Sequence, residues 1–274
     1  KRLNILDKAW LNGGLSFRAC FSDITKKLSA NKIVSNYIRD KIINVVKDKE
    51  VAKKLTDFGH PFTSKRPTLN TNYFEIFNRK NVRLIDLKTN PIIKITKNGI
   101  RTRKEELKFD KIIFATGYDA LSGPILSLNL IGRKKIKLKK YWKNGPKTFL
   151  GIMIPNFPNF FIISGPGSPS VLTNVPAQIQ QHVEWISNFI KYLEKVKSIS
   201  VEPSFKETEN WVKKINKLAK KSLFMKAKNS WYKGDNIPGK PKKFIPYPAG
   251  LPQYRKICNK VQKRMYKGFK ISLK

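Results

Sequence analysis

Two apolar runs, each delivered into a glycine-containing loop, constrain this chain more than any other feature. Lys111-Ile112-Ile113-Phe114-Ala115 ends in Thr116-Gly117, and Phe160-Phe161-Ile162-Ile163 runs into Ser164-Gly165-Pro166-Gly167-Ser168-Pro169-Ser170-Val171-Leu172-Thr173-Asn174. Short apolar runs bounded by turn residues and mixed with helical patterns point to strands of a layered α/β protein. The second loop sits where a dinucleotide-binding loop would sit. Two of its glycines have the G-x-G-x-x-G spacing, but Ser170 stands where the third glycine is needed for close helix–strand packing, and two prolines stiffen the turn. As a phosphate-binding fingerprint the match is weak.

The rest of the chain supports alternating layers. Residues 1–62 read as helical, with Ile33, Val34, Tyr37, Ile38, Ile42, Val45 and Val46 recurring at three and four. Asp48 is placed to cap a short helix, Lys49 to Leu55, that stops before Gly59 and Pro61. From Asn81 the pattern becomes β-like, in Val82–Ile85 and in Ile92–Ile95 with a turn at Lys97-Asn98-Gly99. Lys111–Ala115 and Phe160–Ile163 read as buried strands, and Leu128–Ile131 with Ile136–Leu138 as a hairpin turned by Gly132-Arg133. After Asn174, a plausible N-cap, the apolar positions Ile179, Val183, Ile186, Ile190 and Leu193 predict one helix, and a second is predicted over Glu207–Lys221. The last fifty residues, rich in Pro, Gly and aromatics, read as an ordered irregular tail.

Charge is the unusual part of the composition: 57 Lys+Arg against 18 Asp+Glu leave a formal +39. Such an excess normally points to nucleic acid or an anionic membrane, but those sites concentrate charge in a patch, stripe or tail. Here lysine recurs through almost every element beside abundant Asn and Ile, so a basic-drifted surface on an ordinary fold is the expectation, with no specific nucleic-acid or membrane partner. Cys20 and Cys258 lie far apart without CxxC or Cys/His companions, which argues against a disulfide framework or zinc site and fits a reducing cytoplasm. No segment approaches the roughly 18 continuous apolar residues of a spanning helix, and no signal-peptide pattern opens the chain. A cytoplasmic location is expected.

Three segments carry chemistry. A strand ending in Ala115-Thr116-Gly117 lets backbone pass close to a bound dinucleotide at a sheet edge, although a strand closed by a turn glycine reads the same way. Trp231-Tyr232-Lys233-Gly234-Asp235-Asn236-Ile237-Pro238-Gly239-Lys240-Pro241 packs more aromatic, glycine and proline residues into one loop than core packing calls for. Ser64-Lys65-Arg66-Pro67 sets two adjacent cations before a rigid residue; alone, in a chain this basic, it would be surface decoration.

In one order the chain carries KRPTLNTNYFEIFNRKNVRLIDL, KIIFATGYDALSG, FPNFFIISGPGSPSVLTN, QQHVEWI and SWYKGDNIPGKP. Together these resemble the C-terminal part of a Baeyer-Villiger flavin monooxygenase of the cyclohexanone and phenylacetone monooxygenase type, over nearly the whole length. The resemblance implies an α/β fold made of portions of two Rossmann-like dinucleotide-binding domains. Residues 1–62 would be a helical segment of the NADPH domain, 63–110 its remainder, and 111–274 the C-terminal part of the FAD domain. It implies FAD and NADPH as cofactors, and insertion of one oxygen atom of O2 beside the carbonyl of a small ketone substrate to give an ester or lactone. Arg66 would be the active-site arginine, a role that suits a guanidinium, cationic at any working pH and able to hold developing negative charge. Lys65 would lie near the NADPH 2'-phosphate, Trp231 would hold the nicotinamide over the flavin, and Thr116 and Gly117 would border the cofactor. Ser170, Val171 and Leu172 would line the substrate, and the helix start at Asn174 and Val175 would face the flavin, whose electron-rich edge suits backbone N–H groups there. On this reading the GPGSP loop is a flavin cap.

The family's two G-x-G-x-x-G loops and its F-x-G-x-x-x-H-x-x-x-W signature are not in the sequence, nor is an acidic partner for the arginine. Family chains are about twice as long, so a fragment beginning inside the NADPH domain is expected. An N- or S-oxygenating flavin monooxygenase and a non-enzymatic basic binding module are the rivals. Of the two histidines, His60 lacks the signature context and His182 reads as a partly exposed residue of the 179–193 helix.

Overall fold

The computed structural model describes residues 2–274, which form two compact units. One takes in the chain up to Ile24, then Leu28–Phe62 and Pro67–Tyr118; the other consists of Thr25–Lys27, Thr63–Arg66 and Asp119–Lys274.

The first unit opens with three helices, α1 (Arg2–Asn12), α2 (Leu28–Val45) and α3 (Lys49–Thr56). The three- and four-residue spacing does what it predicts, since Val34 and Ile42 of α2 are buried and Leu6 and Ala9 of α1 pack with Phe17, Ile24 and Val34. Asp48 caps α3 as expected, its carboxylate accepting from the backbone N–H of Glu50 at 2.8 Å and of Val51 at 3.0 Å. Asn31, on α2 and buried, is fully used: its amide donates to the carbonyls of Ile24 and Phe62 while its oxygen accepts from Phe62 N–H at 2.9 Å. Then come β1 (Ile92–Thr96), β2 (Gly99–Thr102) and β3 (Glu106–Lys108), an antiparallel meander in which Ile95 faces Ile100 across the expected turn.

The second unit holds the main core. It contains two one-turn helices, α4 (Gly123–Ser127) and α5 (Leu138–Tyr141), then α6 (Val175–Lys195), β4 (Ser198–Pro203), α7 (Phe205–Lys220), α8 (Leu251–Lys263) and β5 (Phe269–Leu273). β4 and β5 pair antiparallel, with Val201 opposite Ile271. The predicted helices α6 and α7 bury Trp185, Ile186, Phe189, Trp211 and Ile215 into an aromatic cluster with Tyr247, Tyr254 and Tyr266. Phe189 stacks on Tyr266 at 4.0 Å and Trp211 on Tyr247 at 5.1 Å, contacts worth about 0.5–1.5 kcal/mol each beyond the area they bury.

Several expectations are corrected. The last fifty residues are not irregular, because α8 and β5 lie there; Leu251, Tyr254 and Cys258 are buried at three- and four-residue spacing, and Pro252 falls in the first helical turn, where its missing N–H costs nothing. Among the described residues no strand forms over Val82–Ile85 or Lys111–Ala115, and the second run is not buried: Ile113 is 90% and Phe114 66% exposed. An extended apolar run becomes a buried strand only where neighbours flank it, and here none do. Phe160–Ile163 reaches only one bridge, Met153 to Phe161, and the 128–138 hairpin only the bridge Ile131 to Lys137 around a tight turn at Arg133–Lys135. The described ladders are all antiparallel. No helix among the described residues is long and apolar enough to cross a membrane.

Candidate functional site

The GPGSP loop is packed into the second unit rather than open to a ligand. Residues 165–170 are all buried. Gly167 N–H donates to Ile245 O at 2.9 Å, Ser168 N–H to Gly165 O at 3.1 Å, Trp211 Nε1 to Gly167 O at 3.0 Å, and Tyr247 N–H to Ser168 O at 2.7 Å. The N–H groups of Gly167 and Ser168 are thus committed within the protein and are not presented to a phosphate. Gly151 makes the packing possible: its φ is +72°, and a Cβ there would lie 2.4 Å from Ser168 N.

Where the loop leaves the core it meets the cationic segment. Arg66 Nη1 donates to the carbonyl oxygen of Val171 across 105 residues of sequence, and both belong to the second unit. Its guanidinium remains exposed, whereas Thr63 and Ser64 before it are buried. Thr63 has φ +64° and Ser170 φ +44°. Left-handed backbone is costly for any residue with a Cβ, most of all a β-branched one, and strain of this kind gathers at ligand clamps and active sites. Here it brackets the Arg66–Val171 contact on both chain segments. The clamp of Asn31 on both backbone polar groups of Phe62 fixes the chain one residue ahead of Thr63.

The other candidates are distributed as follows. Val171 and Leu172 are half-buried and pack against the main core, in a single turn of tight helix over Ser170–Leu172. Asn174 caps α6 as predicted, accepting from Ala177 N–H at 3.2 Å; it is exposed and Val175 half-buried. Lys65 is half-buried next to Arg66. Trp231 is half-buried, its ring 5.0 Å from that of Tyr232. Thr116 and Gly117 are exposed and belong to the first unit.

His182 corrects the sequence reading: it is fully buried, not partly exposed. Ser164 N–H donates to its Nδ1 at 3.2 Å, which puts the ring proton on Nε2, 2.7 Å from the Tyr254 hydroxyl; that hydroxyl donates onward to Leu150 O. Burial pushes the imidazole down to about 4, so the ring is neutral at working pH and holds the end of the Phe160–Ile163 run at the mouth of the loop. Neither Asn31 nor His182 carries a sequence signal beyond a polar residue on an apolar helix face. A cavity of about 470 Å³ opens behind the loop, between Lys147, Gly167, Val212 and Lys243, and none of the predicted site residues lines it.

No family model matches the chain. Cyclohexanone 1,2-monooxygenase of Acinetobacter sp is 38% identical over 277 residues, covering 100% of this chain and 50% of that protein. A Baeyer-Villiger monooxygenase of Pseudooceanicola batsensis is 40% identical over 269 residues, 97% of this chain and 48% of that one. Among solved structures, closed cyclohexanone monooxygenase matches with a TM-score of 0.94 at 35% identity over 100% of this chain and 51% of its own. OTEMO in complex with FAD and NADP matches at 0.88 and 32% identity over 92% of this chain and 46% of its own. The class that this fold and these neighbours define is the flavin monooxygenase, built of Rossmann-type domains. The chain belongs to the Baeyer-Villiger monooxygenase family and spans about half the length of the curated relatives it matches.

Proposed function

We propose that this chain supplies part of the oxygenating site of an FAD- and NADPH-dependent Baeyer-Villiger monooxygenase, which inserts one oxygen atom of O2 beside a ketone carbonyl to give an ester or lactone. The observation that carries the proposal is the hydrogen bond from Arg66 to Val171 O, which puts the cation of the Lys65-Arg66 pair on the loop read as substrate-lining. One Arg66 donor is engaged by protein and the guanidinium is exposed, so its other N–H groups can meet a negatively charged partner. When bound, FAD supplies the activated oxygen and NADPH the electrons. The residues present fit those groups: Arg66 holds developing negative charge, Ser170, Val171 and Leu172 shape the ketone pocket, Lys65 offers a point charge to a 2'-phosphate, and Trp231 offers a flat face to the nicotinamide.

The start of α6, with Asn174 exposed and Val175 half-buried, suits the electron-rich edge of a flavin, because the positive end of the helix dipole lies there. Thr116 and Gly117 border the cofactor at the end of the run at 111–115. On this reading residues 1–62 and 63–110 are parts of the NADPH domain and 111–274 the C-terminal part of the FAD domain. The relatives named for cyclohexanone make a small cyclic ketone the substrate to try first. Two free cysteines support a cytoplasmic setting, and lysines spread over both units support a small-molecule role over a polyanion partner.

The test is to express the gene extended upstream in frame, record its visible spectrum, and follow ketone-dependent NADPH oxidation with product analysis. A flavin spectrum and a lactone from cyclohexanone, with Arg66→Ala retaining flavin but losing the lactone, is the expected result. A colourless extended protein, or an Arg66→Ala variant as active as its parent, would sink the proposal.

A further inference from the structure

Two motifs that stand 121 residues apart in sequence are tied by one ion pair within the second unit. Lys240, from the Trp231–Pro241 segment, donates through Nζ to a carboxylate oxygen of Asp119 and to the carbonyl of Ala120 at 3.3 Å. The lysine side chain is only 10% exposed, the carboxylate 43%. An exposed lysine pair is worth little, since two mobile side chains must be held in one geometry against water; here the lysine stem is already fixed by packing.

Two glycines make room for the pair. A Cβ on Gly123, at the start of α4, would lie 2.7 Å from the Asp119 carboxyl carbon and 2.9 Å from one of its oxygens. Gly234, with φ +71°, lies where a Cβ would come within 3.3 Å of the Lys240 stem and 3.2 Å of Pro241 O. The segment is also held by its own contacts, Ser230 N–H to Asp235 at 2.6 Å, Lys233 to Asp235 at 2.9 Å with both side chains nearly buried, and Lys243 N–H to Lys233 O at 3.0 Å, and by the core, where Tyr232 is buried against Phe224 and Phe244 and Lys233 Nζ donates to Met225 O at 3.4 Å. Those contacts shape the loop. The Lys240 pair ties the segment to Asp119 and Ala120.

We infer that Asp119 and Lys240 are positioning residues: their ion pair latches the loop carrying Trp231 in the place from which that tryptophan meets the nicotinamide cofactor. The role of Trp231 rests on the proposed oxygenase reading; the latch itself does not. The latch acts through the loop, so its effect is on how much of the time the loop is seated, and hence on cofactor affinity.

The experiment is hydrogen–deuterium exchange over residues 229–243 in this chain, with Lys240→Met, Asp119→Asn, Lys240→Arg and the charge reversal Asp119→Lys/Lys240→Asp. Losing hydrogen bonds to a charged group should raise exchange in the loop about tenfold in the first two variants. Lys240→Arg and the charge reversal should restore most of the protection, and the melting temperature should stay near that of the parent. Unchanged exchange in Lys240→Met and Asp119→Asn overturns the latch. So does a rise spread over the whole second unit with a fallen melting temperature, which would mark a merely structural pair. In the upstream-extended, FAD-loaded protein, Lys240→Met should raise the KM for NADPH about tenfold while kcat at saturating NADPH changes little. If the loop responds as expected while the extended protein oxidises no NADPH, the latch stands and the oxygenase reading falls.

Discussion

The segments Lys111–Tyr118 and Phe160–Leu172 begin alike in sequence and end differently in space. Each is an apolar run that passes into a glycine turn. The second is seated: Ile162 is buried, its N–H donates to Ile152 O at 2.8 Å, and the loop beyond it is held by Trp211, Ile245, Tyr247 and His182. The first is exposed at Ile113, Phe114 and Tyr118 and forms no strand. What separates them is supply of partners. Around the 160–172 segment the chain brings its own neighbours from α6, α7, α8 and the 241–247 stretch, whereas the 111–118 segment has no such set around it within its unit.

That contrast is open to direct attack. The largest expected effect is in the seated segment: Trp211→Ala removes both the stack on Tyr247 and the donor to Gly167 O, and should cost about 3–5 kcal/mol in urea unfolding of this chain. A loss below about 1 kcal/mol would mean the loop is not held from that side.

His182 offers a pH test of the same seat. Its imidazole titrates near 4 when folded against 6.5 as a reference, so between those values the unfolded chain takes up a proton that the folded chain refuses. Stability from this group is therefore complete above about pH 6.5 and is lost as pH falls toward 4, by about 3 kcal/mol at most. Denaturation midpoints of parent and His182→Gln at pH 7.5 and 4.5 check this, and the variant should lose much of the slope. Equal slopes would show that the ring is hydrated and the seat looser than the hydrogen bonds indicate.

A smaller effect belongs to the end of the loop, where Asn174→Ala takes away the α6 cap. The loss should be about 1 kcal/mol, read from the melting temperature. The smallest belongs to the other segment: Ile113→Ser in this chain should change stability by no more than about 0.5 kcal/mol, because a side chain 90% exposed has little burial to lose. A core-sized loss there would break the comparison outright.

How far the sequence could be read follows the same line. Helices α2, α3, α6 and α7 were legible because a 3.6-residue period and a cap are local properties, as Asp48 and Asn174 demonstrate. The β1–β2 turn was legible for the same reason. Helix α8 has the period too, in Leu251, Tyr254 and Cys258, but sits among prolines, glycines and aromatics that read as loop. Of the candidate site, the GPGSP segment, the Lys65-Arg66 pair and the Trp231 loop stood out as motifs, yet no motif reveals that Arg66 meets Val171 or that Lys240 meets Asp119. Asn31 and His182 were invisible, since one polar residue on an apolar helix face has no partner until the chain is folded.

The amino-acid sequence by itself therefore determined the helical periods, the caps, the glycines that permit close turns, and the set of motifs in one order that identifies the family. Only the tertiary structure decided which apolar run is buried, which histidine is neutral, and which cation faces which loop. The physical reason is that helical period and capping depend on residues within a turn or two. Burial, pKa and long-range pairing depend on groups that fold together from 72 to 121 residues away, as Tyr254 does with His182, Val171 with Arg66, and Asp119 with Lys240.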